Sequence, residues 1–92
     1  MLKGKTSSGF EYELSDEALN DWEVLEALTD IDEGHYSGTV RVLRGLLGDE
    51  QLKALKEHCR GEDGRITQTG MFSELADILK GSGAEDEKEK NA

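Results

Sequence analysis

The chain has 92 residues, 21 of them Asp or Glu and 11 Lys or Arg, for a formal net charge of −10. That length makes one domain with a thin core, burying about 60–65% of the surface its unfolded form exposes, and the charge sets the molecule against a polyanion such as DNA or RNA as a direct partner. The single cysteine, Cys59, excludes an internal disulfide, and an exported domain of this size ordinarily relies on several, so the expected compartment is the cytoplasm.

The N-terminus supports the same compartment. Met1 to Lys5 carries two lysines with no apolar stretch behind them, and no apolar run approaches the roughly 18 residues of a membrane span. The five aromatic residues, Phe10, Tyr12, Trp22, Tyr36 and Phe72, fall in periodic apolar clusters, which marks a folded chain. Its charge is lopsided: Glu11 to Glu33 holds ten acids and no Lys or Arg, while Arg41 to Arg60 holds five bases and three acids. Such a run is either a solvated face that maintains solubility or a lure for a basic partner.

Leu2 to Thr6 and Phe10 to Leu14 flank Ser7-Ser8-Gly9, and Phe10, Tyr12 and Leu14 alternate with Glu11 and Glu13. This period of two predicts a β-hairpin over 1–14 whose apolar face packs on a following helix. Ser15 is an N-cap, with Asp16 and Glu17 on the first turn. The helix it opens runs to about Asp32 before Gly34 stops it, with Ala18, Leu19, Trp22, Leu25 and Leu28 as its apolar stripe. Asn20-Asp21 is a point where it can break, both being weak helix formers.

Gly34 to Gly38 is a connector. Val40, Leu43, Leu46 and Leu47 then predict a second helix ended by Gly48, and Asp49 caps a third through about Arg60, with Leu52, Leu55 and Cys59 buried. Gly61 to Gly64 is a turn, and Thr69-Gly70 precedes a last helix carrying Met71, Phe72, Leu75, Ile78 and Leu79, stopped by Gly81. The expected fold is therefore mainly α: a short N-terminal β-hairpin followed by a compact bundle of about four short helices, in one domain over 1–83. Residues 84–92 offer no large apolar side chain and are expected to form a disordered acidic tail.

The residue chemistry points away from catalysis. Asp30 and Asp32 open like a calcium loop, but His35 stands where the turning glycine belongs and Arg41 where the bidentate acid belongs. A loop centred on Asp63-Gly64 has Cys59 first and Gly70 last, so neither end supplies a carboxylate. For zinc, His58 and Cys59 are adjacent and diverge by about 100° on a helix, and His35 is far away in sequence. Neither G-x-x-x-x-G-K-[ST] nor G-x-S-x-G occurs. No catalytic, cofactor or metal residues are expected; what remains is apolar helix faces. Four short helices in so small a chain leave part of a stripe exposed, and an exposed apolar strip is how a chaperone or adaptor grips helical clients. Trp22, Leu25, Leu28, Leu43, Leu46 and Leu47 are the candidate contact residues, each of which serves equally as a core anchor.

Several segments resemble a known family. Gly9-Phe10-Glu11-Tyr12-Glu13-Leu14 leads into Asp21-Trp22-Glu23-Val24-Leu25-Glu26-Ala27-Leu28 and Asp30-Ile31-Asp32, then into Leu43-Arg44-Gly45-Leu46-Leu47-Gly48-Asp49-Glu50-Gln51 and Leu52-Lys53-Ala54-Leu55-Lys56-Glu57-His58. Over residues 9 to 80 the chain resembles the small tail assembly chaperones encoded just before the tape-measure gene in long-tailed (siphovirus-type) phages and prophages. The resemblance implies an α-helical cytoplasmic protein that coats the helical tape-measure protein, keeps it soluble and helps recruit tail-tube subunits; self-association is compatible with that role. The competing reading is a small acidic regulator or DNA mimic, which occupies a basic nucleic-acid-binding site with the Glu11 to Glu33 acids in place of phosphates.

Overall fold

In the computed structural model, residues 1–82 are described; the acidic tail expected at 84–92 lies outside them. The elements are β1 (Leu2–Lys5), β2 (Glu11–Leu14), α1 (Asp16–Leu19), α2 (Trp22–Asp32), α3 (Gly38–Cys59) and α4 (Gln68–Ser82). The fold is thus mainly helical behind an N-terminal hairpin, as the patterning predicts.

β1 and β2 pair antiparallel from Leu2↔Leu14 to Lys5↔Glu11. The alternation in β2 carries through: Phe10, Tyr12 and Leu14 are buried and Glu11 and Glu13 exposed. Two strands alone are marginal in water, and here α3 both supports them and caps their edge. The Gln51 amide accepts from the Glu13 N–H (2.7 Å) and donates to the Glu13 carbonyl (2.7 Å), so a side chain stands in for the missing neighbouring strand. The same amide donates to the Leu47 carbonyl at 2.8 Å.

The predicted break at Asn20-Asp21 divides α1 from α2. Ser15 Oγ accepts from the Ala18 N–H (3.0 Å) to cap α1, and Asp21 Oδ1 accepts from the Glu23 N–H (2.8 Å) to cap α2. At the far end of α2, Gly34 takes φ 91°. His35 N–H then reaches the Asp30 carbonyl (2.8 Å) and Gly34 N–H the Ile31 carbonyl (3.0 Å), the paired bonds of a Schellman stop.

The two helices predicted on either side of Gly48 run on as α3, kinked where Gly48 adopts φ 77°, ψ 169°. That backbone is open to glycine and strained for side-chain-bearing residues. α4 starts at Gln68 and so includes the Thr69-Gly70 pair expected to precede it, because Thr67 Oγ1 caps it by accepting from the Gly70 N–H at 3.0 Å. Nor does Gly81 stop α4, which continues to Ser82. Gly81 is instead a place of close approach, since a Cβ there would lie 2.2 Å from the Tyr12 hydroxyl.

The core lies between the hairpin, α2, α3 and α4, with Leu14, Val42, Leu55 and Ile78 fully enclosed. The predicted stripes on α3 need two corrections: Val42 is buried and Val40 exposed, and Cys59, expected buried with Leu52 and Leu55, is only partly buried against the core. No helix among the described residues is long and apolar enough to cross a membrane.

Candidate functional site

The stripe predicted for residues 18–28 assumed one continuous helix, and the break at Asn20-Asp21 resets its phase. On α2 the buried residues are Val24 and Ala27, with Leu28 and Ile31 packed against the core. The reason is the closeness of α3. A Cβ on Gly45 would lie 2.5 Å from Val24 Cγ2, and one on Gly38 would lie 2.5 Å from the Ala27 carbonyl. Only small or β-branched side chains of α2 fit against such a neighbour.

Trp22 is therefore turned outward, 69% exposed, with Leu25 at 48% and Leu19 of α1 at 41%. Trp22 and Leu25 are three residues apart and share the outer side of α2, and Leu28 lies at its half-buried margin. Leu43, Leu46 and Leu47 are corrected from candidate contacts to core: each is at most 5% exposed, closed over by the layer to which α2 belongs. A partner reaches the first group without disturbing the fold and the second only by dismantling it.

The polar surroundings of the outer face are acidic. Glu23 and Glu26 follow Trp22 on one side of the helix, Glu17 precedes it on α1, and their carboxylates make no ion pair or hydrogen bond among the described residues. A shallow groove of about 320 Å³ runs between α2 and α3, with Asp21, Glu23 and Glu26 on one wall and Arg41 and Arg44 on the other. Both arginines are engaged within the chain, Arg41 by Asp30 and Arg44 by Asp49 at 3.7 Å. Among the described residues, the negative side of the groove is the one without an ion-pair partner.

Two further clusters bring polar side chains together. At the hairpin turn, Thr6 Oγ1 and Ser8 Oγ both donate to Glu74 Oε1 (2.9 and 2.8 Å), and Ser8 Oγ lies 2.9 Å from His58 Nε2. Ser7 donates through its N–H (3.0 Å) and its hydroxyl to Asp77, and these bonds hold the Asp77 carboxyl below its usual pKa. A serine beside a histidine resembles a nucleophile and its base. Here, however, the Ser8 proton is directed to Glu74, and the imidazole lies against the Phe10 ring, centroids 5.5 Å apart. Cys59 follows His58 in the chain; burial, with Glu74 adding to it, pushes its thiol up, away from the reactive thiolate.

The second cluster is Asp30, Glu33 and His35 at the end of α2, whose ligand-type atoms lie within 4.8 Å of one another. Asp30 is already paired with Arg41, which leaves two exposed side chains, short of the donor set that holds a divalent ion. The Schellman turn brings His35 back over Asp30, a proximity that the calcium-loop spacing does not describe.

No family model, no curated protein and no solved structure matches the chain.

Proposed function

We propose that this protein acts by binding, as a tail assembly chaperone of a long-tailed phage or prophage. In the host cytoplasm it holds the helical tape-measure protein in solution and helps bring tail-tube subunits to it. The observation that carries the reading is the position of Trp22: the one tryptophan of the chain stands 69% exposed beside Leu25, while smaller residues fill the core beneath it. Tryptophan supplies a large apolar contact area, and an exposed one at the head of an amphipathic helix is the kind of anchor that protein interfaces use. The segment resemblance over residues 9 to 80 supplies the client, a long apolar helix that would aggregate unattended.

Coexpression tests the proposal. A tape-measure fragment is expected in the soluble fraction with this protein and in the pellet without it. The double variant Trp22→Asp, Leu25→Asp should fold normally and lose the effect. A fragment that precipitates equally in all three cases overturns the assignment. If the acids alone carried binding, as in a DNA mimic, the double variant would still bind its target and 1 M salt would dissociate it fully.

A further inference from the structure

Two side chains of α2, Trp22 and Leu25, form a small apolar strip, below the few hundred Å² of a self-sufficient sticky patch. Its setting supplies what area does not. On a helix, the residue four positions on lies about 40° around, the next residue about 100° around in the same sense and the residue three positions on about 60° the other way, so Glu26 and Glu23 stand along one side of Trp22 and Leu25 along the other. Neither carboxylate is engaged by a cation among the described residues, and Arg41 and Arg44 across the groove are held by Asp30 and Asp49. An exposed indole with two carboxylates along one side and a leucine along the other matches one chemical group above others: a cation on an apolar stem, attracted by both the ring and the acids.

We propose that the outer face of α2 is built for an amphipathic helix of another protein that carries Lys or Arg beside its apolar positions. One such side chain lies over Trp22 on the side of Glu23 and Glu26, while the partner's apolar residues cover Leu25 on the other. This rests on the reading that the strip binds a protein segment and adds the charge of that segment. The absence of any Lys or Arg from Glu11 to Glu33 extends the same preference beyond the contact, because it draws basic helices toward this side and turns acidic ones away.

Two designed helical peptides of about 20 residues, long enough to hold a helix, test it. Both carry the same leucine stripe and lack tryptophan; one has lysines at its polar positions, the other glutamines. Trp22, as the sole tryptophan, reports binding at the proposed place through its own fluorescence. At low salt both peptides should change Trp22 emission, and the lysine peptide should bind about tenfold more tightly. Glu23→Gln with Glu26→Gln should bring the lysine peptide to the level of the glutamine peptide. Trp22→Leu, followed by calorimetry, should cut the lysine advantage severalfold and leave the glutamine peptide nearly unchanged.

A control pair with the same change in net charge, Glu50→Gln with Glu62→Gln, should cost little. Equal affinity for the two peptides, or an equal loss from the control pair, overturns the cationic partner while leaving an apolar contact in place. If neither peptide changes Trp22 emission, the strip does not bind helices, and the binding reading falls along with the inference.

Discussion

The hairpin turn and the outer face of α2 are both surfaces rich in polar side chains, and they resolve that polarity in opposite ways. At the turn, Thr6, Ser7, Ser8, His58, Glu74 and Asp77 satisfy one another, joining residues 50 to 70 positions apart. No buried side-chain nitrogen or oxygen among the described residues is left without a partner. On α2, Trp22 and Leu25 face solvent, and the Glu23 and Glu26 carboxylates have no partner among the described residues. A network closed on itself stabilises a fold and offers little to a ligand. A face with apolar area and unengaged charge contributes little to stability and is available for recognition.

Stability measurements break this contrast most directly where the hairpin meets α4. Ile78, fully enclosed and adjacent to Asp77 on α4, should cost about 2–5 kcal/mol when cut to alanine, read from the urea midpoint. For a domain with about 5–15 kcal/mol in hand, that is a large share. A cost below about 1 kcal/mol would mean that the hairpin is loosely held.

Glu74→Ala comes next. It strips the shared acceptor from two hydroxyls at a site 4% exposed, for an expected loss of about 1–3 kcal/mol. Glu74→Gln keeps an acceptor oxygen and should recover much of that loss. If both variants unfold at the wild-type midpoint, the network is incidental.

A smaller effect appears in acid. Because the Ser7 hydroxyl and N–H lower the Asp77 pKa in the folded state, the stability this group contributes is fully present above its ordinary value of 3.8 and is lost as pH falls through the lower folded value. Ser7→Ala should weaken that dependence, so the wild-type and variant melting temperatures converge as pH drops from about 5 toward 2. A gap that widens in acid would reverse the assignment.

The smallest stability effect belongs to the other surface. Trp22→Ala and Leu25→Ala should each shift unfolding by less than about 0.5 kcal/mol, although Trp22 is the bulkiest side chain of the molecule. A loss above about 2 kcal/mol at Trp22 would make it a structural residue and remove the basis for a binding face.

Much of this architecture was legible residue by residue. Ser15 caps a helix, Gly34 and Gly48 sit where positive φ is required, and Phe10, Tyr12 and Leu14 alternate with exposed acids. The candidate surface was legible only in part. Trp22 and Leu25 are exposed, but the spacing rule placed them on a buried stripe with Ala18 and Leu28, because it counted through Asn20-Asp21 as though the helix were unbroken. Leu43, Leu46 and Leu47 looked equally available and are core. A glycine at position 45, seven residues after Gly38, was the signal that α3 receives another helix closely; read with the short side chains of Val24 and Ala27, it points to the face that packs.

What the sequence determined by itself, then, is whatever depends on neighbours along the chain: strand alternation, caps, stops, and the acidic run from Glu11 to Glu33. These rest on hydrogen bonds and backbone preferences within a turn or two, so the local residues suffice. Tertiary structure alone decided which side of α2 faces α3, which leucines are enclosed, and that Ser8 meets His58 and Glu74. Each of those outcomes depends on what a distant segment offers in shape: a helix can bury either of two apolar sides, and the glycines of α3 admit only the one with small side chains, which leaves Trp22 on the outside.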